Sequence, residues 1–382
     1  MRIRNHVSTL CLLISSILVI TSCTKNSIKC TLKGEVIDRP QSNQLILLKQ
    51  GEDPRIHGIN IPITEGKFEY ILNCDYEELY EFVFNEELER GGFRPIPFFS
   101  EHGVINFTLN PTDQFDKNIV EGGTLNKEYF DYYSKLLDKH KEIGNELNAK
   151  YEQLNKDGID FSFSAKALHD SASQALFNWQ LQYVKEQNPT IVGYSILVSA
   201  TSSMVQQNQD IFPYYDVYQT IFDLKYPNHP YTKQMKDLFT GSSLKAGTPF
   251  IDFSTINING ESVRLSDMIA GKPAVLHLWA SWCGPCRQKG KELIPVYEEF
   301  RDKGFVVIGV AREKSISTAE AAMNQDKYPW GNFVELNDTE QIWVKYGIGN
   351  SGGCVFLIDE KGIVVKVAPT SNEIRNFLLN RL

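Results

Sequence analysis

The sequence has no basic block and no Arg-rich segment. Its 39 Lys and Arg residues are outnumbered by 47 Asp and Glu residues, which leaves a formal net charge of −8. Proteins that bind nucleic acids neutralise phosphates with clustered positive charge, so this class of function is not expected. Internal repeats and low-complexity tracts are also missing. With 42% hydrophobic and 23% charged residues, the composition is typical of an ordinary folded protein.

The apolar run near the N-terminus, residues 10–20, is too short to span a membrane. It follows two arginines and has the pattern of a signal peptide. Its end, Ile20-Thr21-Ser22-Cys23, resembles a bacterial lipobox, in which the cysteine becomes the lipidated N-terminus. We expect a lipoprotein signal peptide over residues 1–22, lipidation at Cys23, and a lipid-anchored protein of the cell envelope that faces the periplasm. An ordinary signal peptide with an incidental cysteine is the alternative.

Cysteine is scarce, at seven residues in 382. After the signal segment and Cys23, the remaining cysteines are Cys30, Cys74, Cys283, Cys286 and Cys354. Export from the cytosol permits disulfides. We expect Cys30 and Cys74 to be buried and unpaired, because a free cysteine commonly behaves as a small core residue; a disulfide between them is the alternative.

Changes in sequence pattern divide the chain after residue 22 into three parts. Residues 23–122 contain β-rich segments separated by turns, which predicts a small antiparallel β-sandwich domain. Its strands are predicted over residues 30–38, 43–50, 67–72, 79–85 and 104–110. Residues 123–244 have helical periodicity, and this helical region is a candidate surface for a homodimer. Its later helices are predicted over residues 172–187, 191–207, 213–225 and 230–240.

Residues 245–382 alternate buried-type strands with amphipathic helices. This alternation predicts an α/β domain with a central sheet covered by helices on both faces. Strands are predicted over residues 274–280, 305–311, 354–359 and 363–368. Helices are predicted over residues 285–300, interrupted at Pro295, and over residues 317–325, 338–346 and 371–382.

The stretch WASWCGPCRQ, residues 279–288, places two cysteines at the junction of a predicted strand and a helix. Cys283 would lie at the helix N-terminus, where unpaired N–H groups and the helix dipole favour its thiolate, which is the attacking species. Cys286 would lie one turn inside the helix, more buried, and placed to attack a mixed disulfide on Cys283. Pro285 suits the first helical turn because its missing N–H is not needed there. An incidental Cys-X-X-Cys pair is the alternative.

Trp282-Cys283-Gly284-Pro285-Cys286 resembles the active site of thioredoxin. The stretch VLHLWASWCGPC, which ends in this motif, and the downstream stretch FLIDEKGIVV are similar to the exported TlpA/ResA-like thiol-disulfide oxidoreductases. The preceding regions also resemble lipoproteins of Bacteroidetes type, whose N-terminal β-domain has no clear function. The resemblance implies a thioredoxin-like C-terminal domain, protein disulfides as substrates, a thiol electron donor in the envelope, and no cofactor.

The resemblance also implies roles for neighbours of the pair. Trp282 is expected to flank the active site. His277 aligns with a buried acid that assists proton transfer to the inner cysteine, and imidazole can accept a proton near neutral pH; a core histidine bonded to the backbone is the alternative. Gly353 stands where a cis-proline is expected. Because a cis bond before a residue other than proline costs about 2.5–4 kcal/mol, we expect a trans bond and an altered docking edge.

Two other functions stay open at this point. Cys354 follows Gly353 and could join Cys283 and Cys286 in a thiolate metal site; the alternative is a small strand residue packed into the core. The chain could also be a lipid-anchored binding protein whose redox site is secondary. A peroxidase is disfavoured, since exchange chemistry already explains the cysteine pair. We expect a membrane-anchored thiol-disulfide oxidoreductase that acts as a disulfide reductase.

Overall fold

The computed structural model describes residues 27–158, 161–187, 189–207, 209–350 and 352–382. The predicted signal peptide and the predicted lipidation site, Cys23, lie outside these residues. Among the helices of the described ranges, none combines the length and the apolar character that crossing a bilayer requires.

The N-terminal region is built from two four-stranded sheets, with strand orders β4-β1-β7-β8 and β3-β2-β5-β6. The elements are β1 (Ile28–Val36), β2 (Gln44–Lys49), β3 (Ile59–Pro62), β4 (Lys67–Cys74), β5 (Leu79–Phe84), α1 (Asn85–Glu89), β6 (Ile96–Phe99), β7 (Gly103–Leu109) and β8 (Ile119–Glu121). Rings from both sheets meet between them: Phe82 of β5 contacts Phe68 and Phe107 at centroid distances of 5.4 and 5.1 Å. The predicted sandwich is therefore present, with one correction: β1 pairs with β7 in parallel.

The two cysteines of the sandwich are not bonded to each other. Cys30 is fully buried in β1, and burial raises the pKa of its thiol to about 11. Cys74 is half-buried at the end of β4, and burial raises its pKa as well. Both thiols are held in their neutral form, as expected for inert core residues.

The helical region comprises α2 (Thr124–Lys156), α3 (Phe161–Glu186), α4 (Ile191–Gln206), α5 (Tyr215–Val217), α6 (Asp223–Lys225) and α7 (Pro230–Ser243). The expected helix over residues 213–225 is replaced by short segments, among them a π-helical turn at Tyr218–Phe222. The Glu101 carboxylate accepts the first backbone N–H groups of α2, which have no partner within the helix. Leu79 and Phe99 belong to the core of these helices, so the sandwich and the helical region share buried surface.

The C-terminal region contains a seven-stranded sheet with the order β10-β9-β13-β12-β11-β14-β15. Its elements are β9 (Ser254–Asn257), β10 (Ser262–Arg264), α8 (Leu265–Ile269), β11 (Ala274–Trp279), α9 (Gly284–Phe300), β12 (Val306–Glu313), α10 (Ile316–Asp326), β13 (Asn332–Leu336), α11 (Ile342–Lys345), β14 (Cys354–Ile358), β15 (Val364–Val367) and α12 (Ser371–Leu379). Strands β11, β12 and β13 are parallel, and β14 runs antiparallel beside β11. This confirms the predicted α/β arrangement.

Both faces of this sheet are buried. Alternate residues of β11 point to opposite faces: Val275 packs with α9 and α12, whereas Leu276 and Leu278 pack with α8, α10 and α11. A strand covered on both sides needs apolar residues at every position, which explains the continuous run AVLHLW. The single polar residue of that run, His277, is therefore placed in the core.

Two helix predictions in this region are wrong in detail. The helix after the cysteine motif continues through Pro295 to Phe300, because proline removes only one hydrogen bond and buried Leu293 and Val296 hold the helix on the sheet. The helix expected over residues 338–346 is reduced to α11. Gln341, which precedes it, has a left-handed backbone with φ of 53°, so the helix cannot begin earlier.

Candidate active site

The cysteine motif lies where β11 ends and α9 begins. Cys283 is the N-cap residue of α9, and its Sγ accepts the backbone N–H of Cys286 at 3.3 Å. Pro285 occupies the first turn, as predicted. Gly284 is exposed, and a Cβ added there meets no atom within 4 Å, so no steric contact requires glycine. The Cys286 N–H group of the first helical turn has no partner within the helix, and its contact with the Cys283 sulfur favours a thiolate.

Cys283 and Cys286 are joined by a disulfide, with their Cα atoms 5.3 Å apart. Their exposed fractions are 4% and 7%. The expectation that Cys286 is the more buried of the two is therefore wrong. The reason is the loop before β14, which covers both sulfurs: a Cβ added to Gly352 would lie 3.7 Å from Cys283 Sγ and 3.9 Å from Cys286 Sγ.

Gly353 lies directly against the pair. Its backbone N–H donates to Cys286 Sγ at 3.0 Å, a contact that proline cannot make because it has no N–H. No peptide bond within the described ranges is cis, so the expected trans bond is confirmed. A Cβ added to Gly353 would lie 1.8 Å from the carbonyl oxygen of Leu278. Glycine is required here by this close approach to β11.

His277 is 1% exposed, and its Nε2 lies 3.1 Å from the carbonyl oxygen of Cys286. Because a carbonyl only accepts, Nε2 carries the proton and Nδ1 has a free lone pair. Nδ1 has no protein partner. Burial lowers the pKa of His277 to about 4, although the bond to Cys286 opposes the shift. The contact is that of a backbone-bonded core histidine; proton acceptance from Cys286 stays a prediction.

Acid should lower the free energy of unfolding, because His277 is buried in its neutral form. In the unfolded chain its pKa is about 6.5, so between pH 6.5 and pH 4 the unfolded chain binds a proton that the folded chain does not. The free energy of unfolding should then fall as the pH falls through this window, by up to about 1.4 kcal/mol per pH unit. His277→Gln keeps an N–H donor for the Cys286 carbonyl and should make this dependence shallower.

Urea unfolding of the oxidised protein at several pH values measures the effect. His140→Gln, at an exposed position of α2, is the matched control for a His-to-Gln exchange outside the core. Parallel stability curves for His277→Gln and the natural sequence would contradict the prediction.

Cys354 is a free, half-buried thiol on the same side as the pair. Together with Cys283, Cys286, His277 and Lys289 it lines a cavity of about 280 Å³. Burial raises the pKa of the Cys354 thiol, which disfavours its thiolate. Over the described ranges, no three His, Cys, Asp or Glu side chains are grouped so that they could hold a metal ion. The three-thiol metal alternative is therefore left without a site.

Trp282, next to Cys283, packs against a residue of the N-terminal region. The Arg55 guanidinium lies 3.4 Å from the Trp282 ring centroid. The Trp343 and Trp282 rings also pack together, with their centroids 6.0 Å apart. The Arg55 guanidinium donates two hydrogen bonds to the Asp53 carboxylate, which orient the Arg55 side chain. Trp282 does flank the pair, but one of its faces is covered by the loop between β2 and β3.

Arg312, at the end of β12, connects this loop to the site. It is bonded to Asp338, to Asp53 at 3.4 Å and to the Asn350 side chain at 2.9 Å. The Asn350 amide donates to the carbonyl of Gly51 at 3.0 Å. Sequence reasoning missed these residues, because the pairs are separated by up to 299 positions and no local pattern marks them.

Comparisons with known proteins concern this same region. The family model described as "AhpC/TSA family" matches residues 246–367. The thioredoxin-like protein YneN of Bacillus subtilis is 31% identical over 121 residues, which are 32% of this chain and 69% of that protein. The chain belongs to the thioredoxin-like thiol-disulfide oxidoreductases.

Other thiol-disulfide oxidoreductases match the same third of the chain. ResA of Bacillus subtilis is 29% identical over 133 residues, covering 34% of this chain and 71% of ResA. Among solved structures, the thioredoxin domain of a thiol-disulfide oxidoreductase from Bacteroides vulgatus is 25% identical, with a TM-score of 0.33; the match covers 36% of this chain and 97% of that domain.

Proposed function

We propose that this chain is a membrane-anchored oxidoreductase of the cell envelope that reduces disulfides in partner proteins through Cys283 and Cys286. The position of Cys283 supports the proposal most directly: it is the N-cap of α9, within disulfide distance of Cys286. A thiol there is ionised more easily than a free thiol, whose pKa is about 8.5.

The proposed exchange has two steps. In the first, the Cys283 thiolate attacks one sulfur of a substrate disulfide, forms a mixed disulfide and releases the other substrate sulfur as a thiolate. In the second, the Cys286 thiolate attacks Cys283, closes the internal disulfide and releases the second substrate thiolate. The substrate gains two electrons and takes up two protons. A thiol donor in the envelope then re-reduces the pair.

The reducing direction is supported by Gly284-Pro285 between the cysteines. Thioredoxin, with the same dipeptide, has a reduction potential of about −270 mV, below that of most envelope oxidants. Equilibration of the pair with glutathione measures the potential directly. A value near that of DsbA, about −120 mV, would reverse the proposed direction.

Trapping of natural partners tests the function itself. Cys286→Ser removes the attacking sulfur of the second step, so mixed disulfides with Cys283 should accumulate. We expect reducible high-mass adducts in envelope extracts, and mass spectrometry should identify Cys283 as the linked residue. The Cys283→Ser/Cys286→Ser chain is the matched control. Adducts that persist in this control would count against the proposal.

The anchor is tested separately at Cys23. Lipidation there would hold the protein on the membrane, because each buried methylene of an acyl chain contributes about 0.8 kcal/mol. We expect Cys23→Ala to lose incorporation of labelled fatty acid and to leave the membrane fraction or remain unprocessed. Unchanged labelling of the variant would disprove lipidation at this residue.

A further inference from the structure

The backbone amide of Gly353 is the protein N–H group that contacts Cys286 Sγ from the loop before β14. We propose that this amide is a positioning group for the second step of the exchange, in which it stabilises the Cys286 thiolate by a hydrogen bond. The inference rests on the proposed exchange at Cys283 and Cys286. It assigns to Gly353 a role that the proline expected at this position cannot have.

The contact is fixed from two sides. Leu278 of β11 lies so close to Gly353 that a Cβ at this position would be 1.8 Å from the Leu278 carbonyl oxygen. On the other side, Asn350 is bonded to Arg312 and to Gly51 of the N-terminal region. The Arg55 guanidinium also donates to the Asn350 carbonyl at 2.9 Å. The amide therefore meets the sulfur in a position set by the sheet and by the N-terminal region.

The charge of the sulfur determines how strong this hydrogen bond is. Sulfur in a disulfide is a weak acceptor, whereas a thiolate is a full negative charge, and hydrogen bonds to charged groups are the strong ones. The bond should gain strength when the pair is reduced and Cys286 loses its proton to solvent. The other titratable side chains around the same cavity are Cys283, His277, Lys289 and Cys354.

A size for the effect follows from general values. Hydrogen bonds to charged groups contribute about 1.5–3 kcal/mol, and one pKa unit corresponds to about 1.4 kcal/mol. Loss of the amide should therefore decrease the acid dissociation constant of Cys286 about tenfold or more. Since the thiolate belongs to the reduced form, loss of the amide should also make the pair the stronger reductant at pH values above the pKa of Cys286, where the reduced form carries that thiolate.

The test uses the whole chain with Cys283→Ser, and the absorbance of the Cys283→Ser/Cys286→Ser chain is subtracted to remove the contribution of the other free thiols. Glycine-selective ¹⁵N labelling follows the amide of Gly353 while the absorbance of the thiolate reports the ionisation of Cys286. We expect the Gly353 amide proton to move downfield with the same midpoint as Cys286. Gly352, where an added Cβ would lie 3.9 Å from the same sulfur, is the internal control. Its amide proton resonance should shift much less.

Two substitutions separate the N–H from the shape of the loop. Gly353→Ala and Gly353→Pro both place a Cβ against Leu278, but only Gly353→Pro removes the donor. We expect the acid dissociation constant of Cys286 to be about tenfold lower in Gly353→Pro than in Gly353→Ala. Equal constants, or a Gly353 amide that moves no more than Gly352, would overturn the inference. The titration needs no substrate, so its result is independent of partner trapping. A negative titration with successful trapping would overturn the role of Gly353 and leave the proposed exchange in place, and the opposite pair of results would do the reverse.

Discussion

Cys283→Ser should abolish the reduction of insulin by this chain, with a rate decrease of roughly three orders of magnitude or more, because a serine hydroxyl at neutral pH does not replace a thiolate nucleophile. Cys283 accepts the N–H of Cys286 at the start of α9, so the helix would hold the serine side chain in the same place. The variant should stay folded, so the loss of rate should come from the missing thiolate nucleophile. Turbidity of reduced insulin, followed with dithiothreitol as the electron donor, measures the rate.

Cys74→Ser is the matched control for this experiment. Cys74 is a half-buried free thiol of the β-sandwich, so the same exchange of sulfur for oxygen is made away from the pair. The rate with Cys74→Ser should equal that of the natural sequence. Full activity of Cys283→Ser would show that another residue carries the exchange.

Arg312→Met should lower the free energy of unfolding by about 3–5 kcal/mol, which is the usual effect of removing one partner of a buried ion pair. The Arg312 side chain is 6% exposed, and its partners Asp338 and Asp53 are 11% and 0% exposed. Burial alone would raise the pKa of Asp338, but hydrogen bonds from Arg312 and His57 outweigh it and lower this pKa. Without Arg312, a buried negative charge loses its main partner.

Urea unfolding of the oxidised chain measures this loss. Arg312 also lies over the Trp343 ring, 4.9 Å from its centroid. Arg381→Met is the matched control, because Arg381 pairs with the Glu360 carboxylate and lies over the Phe377 ring, but at the surface. Exposed pairs contribute about 0–1 kcal/mol, so the control should unfold close to the natural sequence. Similar losses in the two variants would contradict the buried role of Arg312.

The local chemistry of the motif could be predicted from the sequence. A buried-type strand, a tight turn and a helix with proline in its first turn place Cys283 at the N-cap, and these features depend on neighbours in the chain. The trans bond at Gly353 was predictable for the same reason, from the high energy of a cis bond before glycine. The role of glycine at this position was not predictable. Its contact with Leu278 depends on the pairing of β11 with β14, which only the folded sheet brings together.

The remaining errors also have a physical cause in distant or strained structure. The sequence does not indicate six strands because each has only three to five residues: β3, β6, β8, β9, β10 and β13. Strand β13 also pairs with strands that come from elsewhere in the chain. The helix over 338–346 was overextended because Gln341 takes a left-handed backbone, which local composition does not indicate. The burial of both cysteines depends on the loop before β14, whose position is a tertiary effect.

The stacking of Arg55 on Trp282 also has a consequence for how specificity can evolve. The loop between β2 and β3 supplies part of the surface beside the reactive pair. Its residue Arg55 is 295 positions away in the sequence from Asn350, which it contacts. Changes in that loop would alter the surface that a partner protein contacts next to Cys283, while the motif and its chemistry stay the same. Related chains could therefore acquire new partners through the N-terminal region alone, with an unchanged reaction centre.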